Sequence, residues 1–167
     1  ILGCYYKPIL SNDIDAYVII AGGLFHALGM WLSSLKPTFK LDPYDGTVID
    51  VYPKASTIFK KRLWKISMAK ECSKWVIIDG VRGQSRPYLV HELMRLIIDK
   101  GYECEVLKAE IVNEELLRNF ELSSAAFVIV ACPRIAIDDL EHFESPVLTP
   151  GEAFMVLKNI ERYIFPW

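Results

Sequence analysis

The chain has 167 residues, 52% of them hydrophobic and 24% charged, with a formal net charge of -2. This composition is globular and excludes disorder, and a pI near 6.0 leaves no basic footprint for direct binding of nucleic acid. No apolar run reaches the roughly 18 residues that span a bilayer, and no signal-peptide layout is present. Four cysteines in a chain this rich in Val, Ile and Leu fit a reducing, cytoplasmic setting better than a disulfide framework.

Ile1-Leu2-Gly3 reads as the end of a strand that delivers Cys4. The sequence opens inside that strand, so at least one further strand is expected upstream. Asp15 to Ala21 is a continuous apolar run closed by Gly22-Gly23, the pattern of a parallel strand buried on both faces. Leu24 to Leu35 repeats apolar residues at helical spacing until Lys36-Pro37, and Thr38 to Leu41 follows as a strand. Asp42-Pro43-Tyr44-Asp45-Gly46 is dense in turn formers and predicts a reversal through Val48 to Val51. So small an apolar sheet requires cover on both faces, and an apolar surface is expected around Tyr5, Tyr6 and Tyr17.

Pro53 precedes a helix expected over Lys54–Cys72, with Ile58, Leu63, Ile66 and Ala69 on the apolar side and Lys and Arg elsewhere. Strands and helices then alternate. Lys74–Asp79, Tyr102–Lys108 and Ala125–Ala131 read as strands, while Arg86–Lys100 and Asn113–Phe120 read as helices. Pro146–Thr149 is a short extended segment, and Thr149-Pro150-Gly151-Glu152 is a capping box that opens a final helix. The expected fold class is α/β. It comprises a parallel doubly wound, Rossmann-like sheet domain over 53–167, with a bridging helix over 54–72, preceded over 1–52 by part of a second similar α/β domain.

Three turns lie where carboxyl ends of strands are expected: Gly22-Gly23 with His26, Gly80 with Gly83-Gln84, and Ala131-Cys132-Pro133. Ligands of open parallel sheets bind along that edge. Glycine there lets main chain approach a ligand, and a following helix offers amide groups to an anion. Pro133 ends the ladder after Cys132, and Arg134 adds a fixed positive charge suited to an anionic group. None of these turns is a dinucleotide or P-loop motif. His26 is open to a ligand-binding or a capping role, His91 and His142 read as ordinary polar positions, and Cys72 and Cys104 read as packing residues. Cys4 and Cys132 are too far apart for a zinc ribbon but suit thiolates converging on an iron-sulfur cluster.

In order and spacing, six blocks resemble one known family: Ile1-Leu2-Gly3-Cys4, Gly22 to Gly29, Leu41-Asp42-Pro43-Tyr44, Gly83-Gln84, Ala131 to Ile135, and Pro146 to Glu152. The chain resembles the carboxyl-terminal portion of the archaeal-type diphthamide synthase radical S-adenosylmethionine family. That resemblance implies three similar α/β domains, each giving one cysteine to a 4Fe-4S cluster that binds S-adenosylmethionine. It further implies transfer of a 3-amino-3-carboxypropyl group to a histidine of translation elongation factor 2, and a homodimer. Carried onto this sequence, Cys4 and Cys132 become cluster ligands, while Gly22, Gly23, His26, Gly83, Gln84 and Arg134 surround the S-adenosylmethionine. Only two of the three ligand cysteines have counterparts, so the chain alone is expected to be inactive. Rival readings are a quinolinate synthase-like cluster enzyme, which would need phosphate-binding Ser or Thr at these turns, a non-catalytic subunit, and a small-molecule binding module.

Overall fold

The structure is a computed structural model that describes residues 3–120 and 124–167, apart from the Arg82 side chain. The expected strand at Ile1-Leu2 lies outside the described residues. The chain divides into two compact units, Ile1–Lys60 and Lys61–Trp167.

In the first unit, β1 (Tyr17–Ile20) pairs in parallel with β2 (Thr38–Leu41), and β2 pairs antiparallel with β3 (Val48–Asp50). Helix α1 (Phe25–Ser34) makes the crossover from β1 to β2. It buries Ala27, Leu28, Met30 and Leu32 and ends on Leu35 in the left-handed conformation. Gly29 is required on this helix because the Tyr6 hydroxyl lies 2.1 Å from where a Cβ would stand.

The expectation that β1 is buried on both faces does not hold. Tyr17 and Ile19 are buried, but Val18 and Ile20 are 60% and 67% exposed. Strand side chains alternate between faces, and α1 covers only one face of this sheet. Tyr6 and Tyr17 are likewise buried, so of the three tyrosines expected at an apolar surface only Tyr5 is exposed.

Helix α2 runs over Tyr52–Ala69, beginning two residues earlier and ending three residues earlier than the sequence suggested. Pro53 sits inside its first turn, where its missing N–H has no helical partner to lose. The second unit contains β4 (Lys74–Asp79), α3 (Pro87–Asp99), β5 (Glu103–Lys108), α4 (Glu114–Leu117), β6 (Ala125–Ile129), β7 (Val147–Leu148) and α5 (Pro150–Lys158). Its strands are all parallel, in the order β5-β4-β6-β7. β4 and β6 are buried almost throughout, which explains their unbroken apolar runs. Val76, Ile78, Phe127 and Ile129 pack with Leu117, Leu140 and Phe143, while α3 packs on β4 and β5 and α5 packs on β6 and β7.

The basic residues of α2 do not all face water. Arg62 is 1% exposed and Lys65 is buried too, whereas Leu63, expected on the apolar side, is 42% exposed. Arg62 pairs with Glu152, which is 0% exposed, through Nε to Oε1 at 2.9 Å and Nη2 to Oε2 at 2.6 Å. The same guanidinium donates to the carbonyls of Ala136 at 2.8 Å and Val147 at 2.6 Å. Glu152 also completes the expected capping box, since it accepts from the Thr149 amide at 2.8 Å while its own amide donates to Thr149 Oγ1. The Tyr163 hydroxyl donates to Glu152 Oε1 at 2.7 Å, and burial pushes that phenol well above its ordinary pKa. Lys65 donates to the carbonyls of Phe143 and Ser145.

Removing one member of a buried pair strands the other charge. Glu152→Gln is expected to cost about 3–5 kcal/mol, whereas Lys158→Ala, which breaks the exposed bridge to Glu92, is expected to cost at most about 1 kcal/mol. Urea unfolding of the two variants checks this: equal midpoints would show that the buried pair carries no special share of stability.

Candidate functional site

The strand order places the reversal of the second sheet between β4 and β6, because the chain leaves β4 for β5 on one side and then returns to β6 on the other. A crevice forms outside the carboxyl ends of strands at such a point. Gly80 follows β4 and Cys132 follows β6, so both lie at that edge. A Cβ on Gly80 would stand 2.9 Å from Gln84 Cβ and 3.0 Å from Ala131 Cβ. Glycine therefore lets the two strand ends and the Arg82–Gln84 turn close on one another.

Two residues not singled out from sequence hold this corner. The Asp79 carboxylate accepts from Ser85 Oγ at 2.6 Å and from the Arg86 amide at 3.0 Å. Arg86 Nη1 donates to the carbonyls of Gln84 at 3.1 Å, Val130 at 3.1 Å and Ala131 at 3.2 Å. The Arg86 guanidinium lies 4.0 Å from the centroid of the Trp167 ring. The β4–β6 register ends at Ile78 opposite Ile129, so carbonyls beyond that point need donors from elsewhere.

Cys132 is half-buried, and Pro133 is buried beside it. Arg134 leads into a π-helical turn over Ile135–Asp139, and its Nε donates to Asp138 at 3.2 Å. Gly83 and Gln84 are exposed on the turn that faces this strand edge. The second unit thus brings Gly83, Gln84, Cys132 and Arg134 to one end of its sheet.

The first unit assembles a similar edge. Cys4 lies half-buried in a turn, and a Cβ on Gly3 would stand 2.9 Å from the Phe25 ring and 3.4 Å from the His26 ring. The Tyr6 hydroxyl donates to the carbonyls of Gly3 at 3.0 Å and His26 at 3.2 Å, tying the Cys4 turn to the start of α1. Burial, and secondarily the neighbouring Cys4, push the Tyr6 pKa upwards. Gly22 and Gly23 are exposed in the bend between β1 and α1, with the Tyr44 ring 3.5 Å from a Cβ position on Gly22. Leu24, at the N-cap of α1, makes no side-chain capping bond.

All four cysteines are free thiols. Cys72 is buried on the chain following α2 and Cys104 is half-buried in β5, and burial raises both thiol pKa values. Cys4 and Cys132 stand instead in turns at sheet ends, and their soft sulfur donors suit iron. Among the described residues, no three His, Cys, Asp or Glu side chains converge. The donor type therefore fits an iron-sulfur cluster, while these residues do not supply a complete ligand set.

The family described as "Putative diphthamide synthesis protein" matches residues 1–164. The chain belongs to the diphthamide synthesis family. It is 31% identical over 166 residues to the 2-(3-amino-3-carboxypropyl)histidine synthase of Pyrococcus horikoshii, an alignment covering 99% of this chain and 47% of the relative. Subunit 1 of the same synthase from Caenorhabditis elegans is 31% identical over 163 residues, covering 96% of this chain and 41% of the relative. The archaeal and animal relatives are equally similar, so identity does not single out the archaeal type. The crystal structure of Dph2 from Pyrococcus horikoshii with a 4Fe-4S cluster aligns with a TM-score of 0.82 at 29% identity, over 99% of this chain and 47% of that one. The chain spans about half the length of these relatives.

Sequence reasoning missed Tyr6, Asp79, Arg86 and Trp167 because Tyr6 and Arg86 hold main-chain carbonyls, Asp79 holds the Ser85 hydroxyl and the Arg86 amide, and Trp167 stacks on Arg86, contacts that no motif displays. Arg62 left a trace: Ala55, Ile58, Arg62, Ile66 and Ala69 recur at helical spacing, and all five are buried. Basic residues on such a stripe, Arg62 and Lys65 here, signal buried partners.

Two outcomes follow from this geometry. Gly80→Ala forces a Cβ against rigid neighbours and is expected to destabilise the second unit by about 1–3 kcal/mol, read as a lowered urea midpoint. Because thiolate is the reacting form and burial raises the pKa of Cys72 and Cys104, iodoacetamide labels these two more slowly than free cysteine at neutral pH. Their rates rise to half-maximum only above the pH that suffices for a free thiol. Peptide mass spectrometry across a pH series checks both points.

Proposed function

We propose that this chain is part of a 2-(3-amino-3-carboxypropyl)histidine synthase, acting in the first step of diphthamide synthesis, and that Cys4 and Cys132 are two ligands of its 4Fe-4S cluster. The observation that carries this reading is one free, half-buried thiol in each unit, Cys132 at the carboxyl edge of its sheet and Cys4 in a turn tied to the start of α1, in a chain of this family. Spare thiols Cys72 and Cys104 lie away from both, one behind α2 and the other within β5.

When bound, such a cluster supplies the electron that opens the sulfur to γ-carbon bond of S-adenosylmethionine, a non-standard radical reaction that frees the 3-amino-3-carboxypropyl group for a histidine of elongation factor 2. The protein residues bind and orient. Gly22 and Gly23 keep the approach to α1 clear of side chains, and His26 at its first turn offers a ring nitrogen to the ligand. Gly83 and Gln84 contribute main chain and an amide side chain at the edge of the second unit. Arg134 presents a guanidinium suited to the methionine carboxylate. The working protein is read as a homodimer in the cytoplasm, and two thiolates leave the isolated chain inactive.

Anaerobic loading with iron and sulfide of this chain combined with the part of the Pyrococcus horikoshii synthase outside the match tests the ligand assignment. Cys4→Ala and Cys132→Ala each lower bound iron and its broad thiolate-to-iron absorbance, while Cys72→Ala and Cys104→Ala leave both unchanged. Equal loading in all four variants overturns the assignment. The reaction is tested by combining this chain with the part of the Pyrococcus horikoshii synthase outside the match, then adding dithionite, labelled S-adenosylmethionine and elongation factor 2. Label reaches the factor only while Cys132 is intact, and an iron-loaded combination that transfers none overturns the transferase reading.

A further inference from the structure

The two candidate ligands share a feature that no sequence motif carries. The peptide carbonyl immediately before each thiol is captured by a donor from a distant side chain or a neighbouring turn. Gly3 O, before Cys4, accepts from the Tyr6 hydroxyl, which also donates to His26 O on α1. Ala131 O, before Cys132, accepts from Arg86, which also holds Gln84 O and Val130 O. Each donor is itself fixed by packing. Tyr6 is 2% exposed and lies against Gly29, while Arg86 stacks on Trp167 and its own amide is held by Asp79.

We propose that Tyr6 and Arg86 are positioning residues that set the direction of Cys4 and Cys132, respectively, by clamping the preceding peptide unit. The physical reason is local. A strand end or turn has lost its ladder partners, so its peptide plane rotates unless another group holds the carbonyl. Rotating the plane before a cysteine swings the Cα–Cβ bond and carries the sulfur with it. A metal ligand misplaced by 1 Å binds poorly, so clamping of this kind matters more for a thiolate ligand than for a packing residue. Arg86 does this from one nitrogen, Nη1, of a guanidinium whose plane is held by stacking on Trp167, a support that a lysine ammonium lacks. Tyr6 does it from a hydroxyl that also bridges to the helix carrying His26.

The proposal rests on the reading of Cys4 and Cys132 as cluster ligands, but its test needs no cluster. The metal-free full chain is labelled with iodoacetamide, and each cysteine is followed separately by peptide mass spectrometry. Tyr6→Phe is expected to change the Cys4 rate by about threefold and leave Cys132 unchanged. Arg86→Met is expected to change the Cys132 rate by about tenfold and leave Cys4 unchanged, the larger effect reflecting loss of a charged donor. Arg86→Lys, which keeps one donor, recovers part of the wild-type rate.

Selective change at the neighbouring thiol supports the proposal; unchanged labelling of Cys72 and Cys104 reports that the fold of the second unit has survived Arg86→Met, and an unchanged circular dichroism spectrum and urea midpoint report the same of the first unit in Tyr6→Phe. Rates within twofold of wild type at the paired cysteine overturn it. So does a parallel change at Cys4 and Cys132 in either variant, which signals general loosening, and so does an Arg86→Lys variant indistinguishable from Arg86→Met. Iron loading of Cys4→Ala and Cys132→Ala separates the two ideas: unchanged loading removes the ligand reading while leaving selective labelling to stand as evidence for positioning.

Discussion

The second unit depends on an ion pair withdrawn from water. Desolvating Arg62 and Glu152 costs more than their attraction returns unless the remaining donors and lone pairs are also satisfied, and here they are. The guanidinium takes both carboxylate oxygens and the carbonyls of Ala136 and Val147, while the carboxylate also receives Tyr163 and the Thr149 amide. Five pieces of chain therefore meet at one charge pair: α2, the π-helical turn after Cys132, the start of β7, the start of α5 and the segment beyond it. A pair of apolar side chains could fill the same volume, but it would not dictate which carbonyl faces which helix. The pair contributes direction to the turn that follows Cys132.

Cys132 is consequently bracketed by two arginines with different partners. Arg86 holds the carbonyls of Val130 and Ala131 before it, and Arg62 holds the carbonyl of Ala136 after it. Between these points lie Pro133, which has a fixed φ, and Arg134, bridged to Asp138. A six-residue excursion at the end of a buried strand is thus fixed at both ends by planar donors. The sheet supplies the platform: β6 is buried along its whole length, so its carboxyl end emerges at one height beside Gly80.

Much of this was legible in the residues. Unbroken runs such as Trp75 to Ile78 and Ala125 to Ala131 are what a parallel strand covered on two faces looks like, and Thr149 with Glu152 announced the last helix through local hydrogen bonding alone. The same rule failed for Tyr17 to Ile20, because an apolar run reports what a strand can tolerate and not which neighbours are present to cover it. Arg62 was misread for a related reason. Helical spacing sorts positions by face, but an arginine on the inner face is stable only with a partner 90 residues away in sequence, and periodicity has no access to that distance. Arg86 and Tyr6 were invisible because their partners are peptide carbonyls, which every residue possesses.

These differences bear on how function can be read from such a chain. Cysteine placement at strand ends depends on backbone topology, which sequence patterns express well, so Cys4 and Cys132 stood out from Cys72 and Cys104 before any coordinates. Topology alone brings a thiol to an edge without fixing where its sulfur points. That orientation comes from side chains acting on single peptide units, Tyr6 on Gly3 and Arg86 on Ala131, and each acts within its own unit. The two thiols are therefore oriented independently, by a neutral hydroxyl in one case and a charged guanidinium nitrogen in the other. Two thiols held this way can each lose direction while the other keeps its own, which a pair held by a shared network could not do.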